Sequence, residues 1–131
     1  MNKTHSSRML IALLLLCSVA VASAAERVRA GLWETTITIA GKPVVSSGCI
    51  TEADAATMNG DAATIRAYLE KSSAKAGCTV KNVTVNGNQV VVTNVCRRAE
   101  NVGTTTYKGD SSETVNSNGA KVQSRRVGAC K

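Results

Sequence analysis

Glycine-centred turns punctuate the second half of this chain at short intervals, and no helix of ordinary length fits between them. Asn86-Gly87-Asn88, Lys108-Gly109-Asp110 and Asn118-Gly119 separate runs of valine, threonine and serine. Hairpin turns demand such residues because they tolerate positive φ. The pattern predicts antiparallel strands over 79–85, 89–96, 102–107, 112–117 and 120–127. A two-residue turn at Asn118-Gly119 sets Val115 opposite Val122 and Thr114 opposite Gln123.

The stretch 31–40 alternates in the manner of a half-buried strand. Trp33, Thr35, Ile37 and Ile39 face one side; Leu32, Glu34, Thr36 and Thr38 face the other. Gly41-Lys42-Pro43 is expected to turn the chain into a weaker strand over 44–47, leading to Cys49. Residues 51–76 are different. Alanine dominates, Thr51 and Asp54 have capping-box spacing, Asn59-Gly60 interrupts, and Asp61 can cap a restart. Met58, Ala62, Ile65, Leu69 and Ala76 fall near one stripe with Tyr68 on its edge, and Gly77 ends the run. This predicts one broken helix, or two short ones. The fold class is therefore α+β: an antiparallel meander of about seven strands with one helical insertion after the second strand.

The start of the chain is an address rather than a structural element. Lys3 and Arg8 precede an uncharged apolar run over 9–22, and Ala22-Ser23-Ala24 has the small-residue spacing of a cleavage site. Residues 1–24 are expected to be a signal peptide and 25–131 a single domain in the periplasm. The apolar run is too short to span a membrane. Leu16 before Cys17 argues against lipid attachment.

Export leaves four cysteines: Cys49, Cys78, Cys96 and Cys130. An even set in an oxidising compartment predicts two disulfides, each contributing about 2–4 kcal/mol. A three-residue loop at 86–88 would put Cys78 opposite Cys96. A two-residue turn at Asn86-Gly87 shifts the register; one at Gly87-Asn88 matches the valines better, and also misaligns the cysteines. The hairpin favours Cys78–Cys96, leaving Cys49–Cys130; the rival is Cys49–Cys78 with Cys96–Cys130. A zinc site is disfavoured, since no C-x-x-C pair exists.

The chemistry available is narrow. The one histidine, His5, lies in the signal, and the chain has no phenylalanine, one tryptophan and two tyrosines. There is no G-x-S-x-G, no H-E-x-x-H and no P-loop. Glu34 or Glu113 could serve carboxylate chemistry, but no spacing selects a partner. The formal charge of +7 suits anions, yet the aromatic platforms that stack nucleic-acid bases are absent. Trp33, Tyr107, Arg97 and Arg125 are the candidate binding residues. On a strand, each arginine of the pairs Arg97-Arg98 and Arg125-Arg126 would face a different side. No cofactor or metal is expected.

Several short pieces, in order, carry a resemblance: G-L-W-E at 31–34, C-I-T at 49–51, Cys78, Cys96, Y-K-G-D at 107–110 and R-R-V-G-A-C at 125–130. The chain resembles a family of small exported Gram-negative proteins known as domain-of-unknown-function family 3617. The resemblance implies a periplasmic, disulfide-containing domain and brings no catalytic residues with it. The chain departs from the family in having no proline between Thr51 and Ala76.

Together these readings point to a non-enzymatic domain that binds a small ligand or an anionic or apolar envelope component. The rival is an interaction or inhibitory module that presents loops at 101–102 and 108–112 to an envelope enzyme. A third reading, a hydrolase, needs two carboxylates close together in a cleft.

Overall fold

The computed structural model describes residues 26–131; the expected signal peptide lies outside them. Seven strands form one antiparallel sheet: β1 (Gly31–Ile39), β2 (Lys42–Ile50), β3 (Cys78–Asn86), β4 (Gln89–Cys96), β5 (Ala99–Lys108), β6 (Ser111–Asn116) and β7 (Lys121–Gly128). Two helices, α1 (Glu52–Met58) and α2 (Ala62–Ala74), follow β2. The expected single insertion is thus two helices, because Asn59-Gly60 ends the first and Asp61 starts the second. Thr51 and Asp54 close a full capping box on α1, and the Asp61 carboxylate accepts from the Thr64 N–H at 2.8 Å.

The strand order is β2-β1-β7-β6-β5-β4-β3. Strands β3 to β7 meander, but the β1–β2 hairpin joins through a β1–β7 pairing, with Thr35 opposite Ser124 and Ile37 opposite Val122. Both edges, β2 and β3, stay open.

Local registers correct five expectations. The first turn is Ala40-Gly41, both at positive φ, so Lys42 and Pro43 belong to β2. That leaves the proline on an edge strand, where its missing N–H costs no ladder bond. The β3–β4 turn is Gly87-Asn88, yet Cys78 still faces Cys96. The register shifts by one between Val80 and Asn82, so Lys81 bulges out and satisfies the valines and the cysteines together. Ser117-Asn118-Gly119 is a three-residue loop, so Val122 pairs with Thr114 and Val115 with Lys121. Finally, Arg97 and Arg98 are not strand residues. They are the two-residue β4–β5 turn, at φ +50 and +68. Positions 101–102, expected as a loop, lie within β5.

The helices cover part of one face of the sheet, and the core beneath them has two clusters. Ile65 of α2 packs with Val80, Val83 and Val90; Val28, Trp33 and Ala55 pack beneath α1. Tyr107 touches both clusters. Two disulfides, Cys49–Cys130 and Cys78–Cys96, tie β2 to the segment after β7 and the start of β3 to the end of β4.

Candidate functional site

Alternation along the strands fixes which side chains share the helix-covered, inner face. One cross-strand row reads Thr35, Ser124, Ser112, Tyr107; the next reads Ile37, Val122, Thr114, Thr105. The helices do not fill the space above these rows. A cavity of about 190 Å³ lies over the hydroxyl row between Trp33, Ile50 and Met58. A second, of about 130 Å³, lies under α2 against Ile65, Leu69, Val90 and Val92. They share the walls Met58, Thr105 and Tyr107, so the two cavities adjoin beneath the helices. Their combined room suits roughly ten water-sized groups.

No lining residue is charged. The floor is instead paved with hydroxyls, partly satisfied by one another: Thr35 Oγ1 lies 2.9 Å from Ser124 Oγ, and Thr105 Oγ1 lies 2.7 Å from Thr114 Oγ1. Each pair spends one hydroxyl hydrogen and leaves the other free to donate. Burial pushes the Tyr107 phenol above its ordinary pKa, and the nearby Arg27 guanidinium opposes the shift. Tyr107 therefore stays a protonated donor at neutral pH.

One end of the cleft is closed by the segment before β1. Asn59 Oδ1 accepts the Arg27 and Val28 N–H groups at 2.7 and 2.9 Å, and its Nδ2 donates to the Val28 carbonyl at 2.7 Å. Arg27 is only 5% exposed. Its guanidinium donates to the carbonyls of Met58, Gly60 and Gly87 at 2.5–3.4 Å, with no carboxylate in contact. A buried cation needs such partners, and the Met58 and Gly60 carbonyls sit at the negative end of α1. Arg27 and Asn59 are the positioning residues that sequence reasoning missed.

Of the four candidate residues, the structure brings two together. Trp33 is 4% exposed, with its indole N–H donating to the Arg29 carbonyl at 2.9 Å, so it offers the cleft an apolar wall. Tyr107 forms the shared wall. Arg125 lies on the opposite face, 3.7 Å from Glu34, and Arg97 lies in its distant turn.

That opposite face carries a wider groove of about 550 Å³, lined by Glu34, Thr36, Thr106, Lys108, Glu113 and Arg125 among others. Its charges neutralise one another. The Lys121 ammonium, 3.0 Å from Glu113, holds that carboxyl below its usual range. Glu34 on β1 and Glu113 on β6 are separated by β7, a lateral distance of roughly 10 Å. Both side chains are partly exposed, Glu34 beside Arg125 and Glu113 beside Lys121.

The fold and cleft define a small disulfide-stapled domain with an antiparallel sheet half-roofed by helices. The chain belongs to the family described as "Protein of unknown function (DUF3617)", whose model matches residues 28–130. No curated protein and no solved structure matches it.

Proposed function

We propose that this chain is a non-enzymatic binding domain, exported to the periplasm, whose inner cleft takes a small and mostly apolar ligand bearing a hydrogen-bonding group. The observation that carries the reading is the pair of adjoining cavities with apolar walls and a hydroxyl floor around Tyr107. Sites of this kind bury a ligand by apolar contact and orient it through a few polar groups. Two disulfides support a compartment outside the reducing cytosol. The lack of charged or imidazole groups on the cleft walls supports binding rather than catalysis.

Trp33 is the only tryptophan, so its emission reports on the cleft. Native mass spectrometry of protein from periplasm, followed by titration of any co-purifying small molecule, should shift Trp33 emission saturably. Thr105→Leu, which fills the shared wall, should abolish the shift while the far-ultraviolet spectrum stays unchanged. An identical titration in Thr105→Leu would refute the assignment. The rival, docking of an envelope enzyme, finds its support in the open groove of the opposite face. Non-reducing pull-down that recovers one enzyme, and loses it with Lys108→Glu, would favour that reading.

A further inference from the structure

At one end of the sheet lie the turns Ala40-Gly41 and Arg97-Arg98, the loop 117–119 and the C-terminal end of α2. Antiparallel pairing forces this grouping, since β4–β5, β6–β7 and β1–β2 all reverse there. The rim collects Lys42, Lys71, Lys75, Arg97 and Arg98, all exposed and none within ion-pair distance of an acid among the described residues. The nearest acids are already engaged, Glu100 by Lys81 at 2.6 Å and Glu70 by Arg66 at 2.8 Å. The other end mixes both signs: Glu52 and Asp54 start α1, Asp61 caps α2, and Asp110 in the β5–β6 turn lies 3.5 Å from Arg29.

Two further features mark the same rim. The tip of the β1–β2 hairpin exposes Ile39, Val44 and Val45 at 60–62%, beside Lys42. Exposed apolar groups set among cations suit a surface that is anionic outside and apolar beneath. The second feature is strain. Both central residues of the β4–β5 turn take positive φ, which favours Asn-Gly, yet both are arginine. The strained conformation holds two exposed guanidinium groups next to Cys96, which the Cys78–Cys96 bridge ties to β3. Retained strain of this kind is a pointer to function.

We infer that this rim docks on an anionic lipid bilayer. Lys42, Lys75, Arg97 and Arg98 meet the headgroups, and Ile39 and Val44, which share one face of the β1–β2 hairpin with Lys42, enter the interface. The inference does not depend on what the cleft binds.

Co-sedimentation of the mature chain with vesicles at 0.15 M salt tests it. The protein should pellet with phosphatidylglycerol/phosphatidylethanolamine vesicles and stay in solution with phosphatidylcholine vesicles. The double variant R97N/R98G relieves the turn and removes two charges, so it should fold at least as well by thermal melt. Its partition coefficient should fall about 30-fold. I39T/V44T should keep binding at low salt and lose what survives at 0.15 M. Equal pelleting with neutral vesicles, unchanged binding by either double variant, or capture by soluble polyphosphate without vesicle binding would each overturn the inference.

Discussion

Removing the two disulfides one at a time should cost different amounts, and the difference follows from where each closes the chain. Cys49 and Cys130 are 81 residues apart, Cys78 and Cys96 only 18. Loop-closure entropy of the unfolded chain grows with the logarithm of the closed length, which gives about 4.5 kcal/mol for the long loop and about 3.2 kcal/mol for the short one. With both bridges present, the short one trims the long loop slightly, and a logarithm hardly registers that. Packing works the other way by a fraction of the difference. Cys78 and Cys96 are half-buried, whereas Cys49 and Cys130 are exposed. C49A/C130A should therefore be less stable than C78A/C96A by about 1 kcal/mol. Urea titration followed by the emission of buried Trp33 measures both. At a slope of about 1–3 kcal/mol/M, the midpoints should differ by roughly 0.3–1 M. A midpoint for C78A/C96A at or below that of C49A/C130A would refute the reasoning, and would mean that native contacts around the short bridge outweigh the constraint on the unfolded chain.

Further expectations concern the backbone, the buried guanidinium and the phenol. A methyl at Gly31 (φ +146) would lie 2.5 Å from the Gly128 carbonyl oxygen, while one at Gly41 (φ +76) meets nothing within 4 Å; Gly31→Ala should therefore prevent folding at 37 °C, and Gly41→Ala should cost only about 1–2 kcal/mol in a urea titration. Arg27→Met keeps much of the stem but leaves the Met58, Gly60 and Gly87 carbonyls without their donor, so Tm should fall by about 5 °C or more; an unchanged melt would show that water replaces the guanidinium freely. The Tyr107 phenol is raised by burial above its ordinary value of 10.0. Its contribution to stability is complete below pH 10 and is lost as pH rises through the folded-state value. Urea midpoints from pH 8 to 11.5 should show that decline, and Tyr107→Phe should flatten it.

What the sequence announced was local, and what it hid was distant or unsignalled. Asn-Gly turns and the Thr51–Asp54 box act within a few residues, so the hairpins and helix starts could be read directly. The β1–β7 pairing has no local marker, since Thr35 meets Ser124 only through the tertiary fold. The β3–β4 hairpin posed a conflict between valines and cysteines that one extra residue, Lys81, dissolves; nothing about a lysine advertises a bulge. Arg97-Arg98 was unreadable as a turn because neither residue favours positive φ. In the cleft, Trp33 and Tyr107 were visible as aromatic residues on strands. Their meeting required the correct order of β1, β7, β6 and β5. Arg27 escaped notice because the segment before β1 has neither periodicity nor motif, and Asn59 was legible only as a helix break, not as the partner of Arg27 and Val28.

The neighbouring of β1 and β7 has a kinetic consequence. The hairpin made first has no lasting neighbour until the final strand exists, and an isolated two-stranded ribbon is marginal in water. Eight of the nine residues of β2 are exposed and gain nothing from waiting. The β1–β7 seam inside the finished sheet is thus its last to form, with contacts far apart in the chain and correspondingly slow assembly. A molecule stopped before its final ten residues would hold the helices and four strands of the meander, yet leave its opening hairpin unmoored.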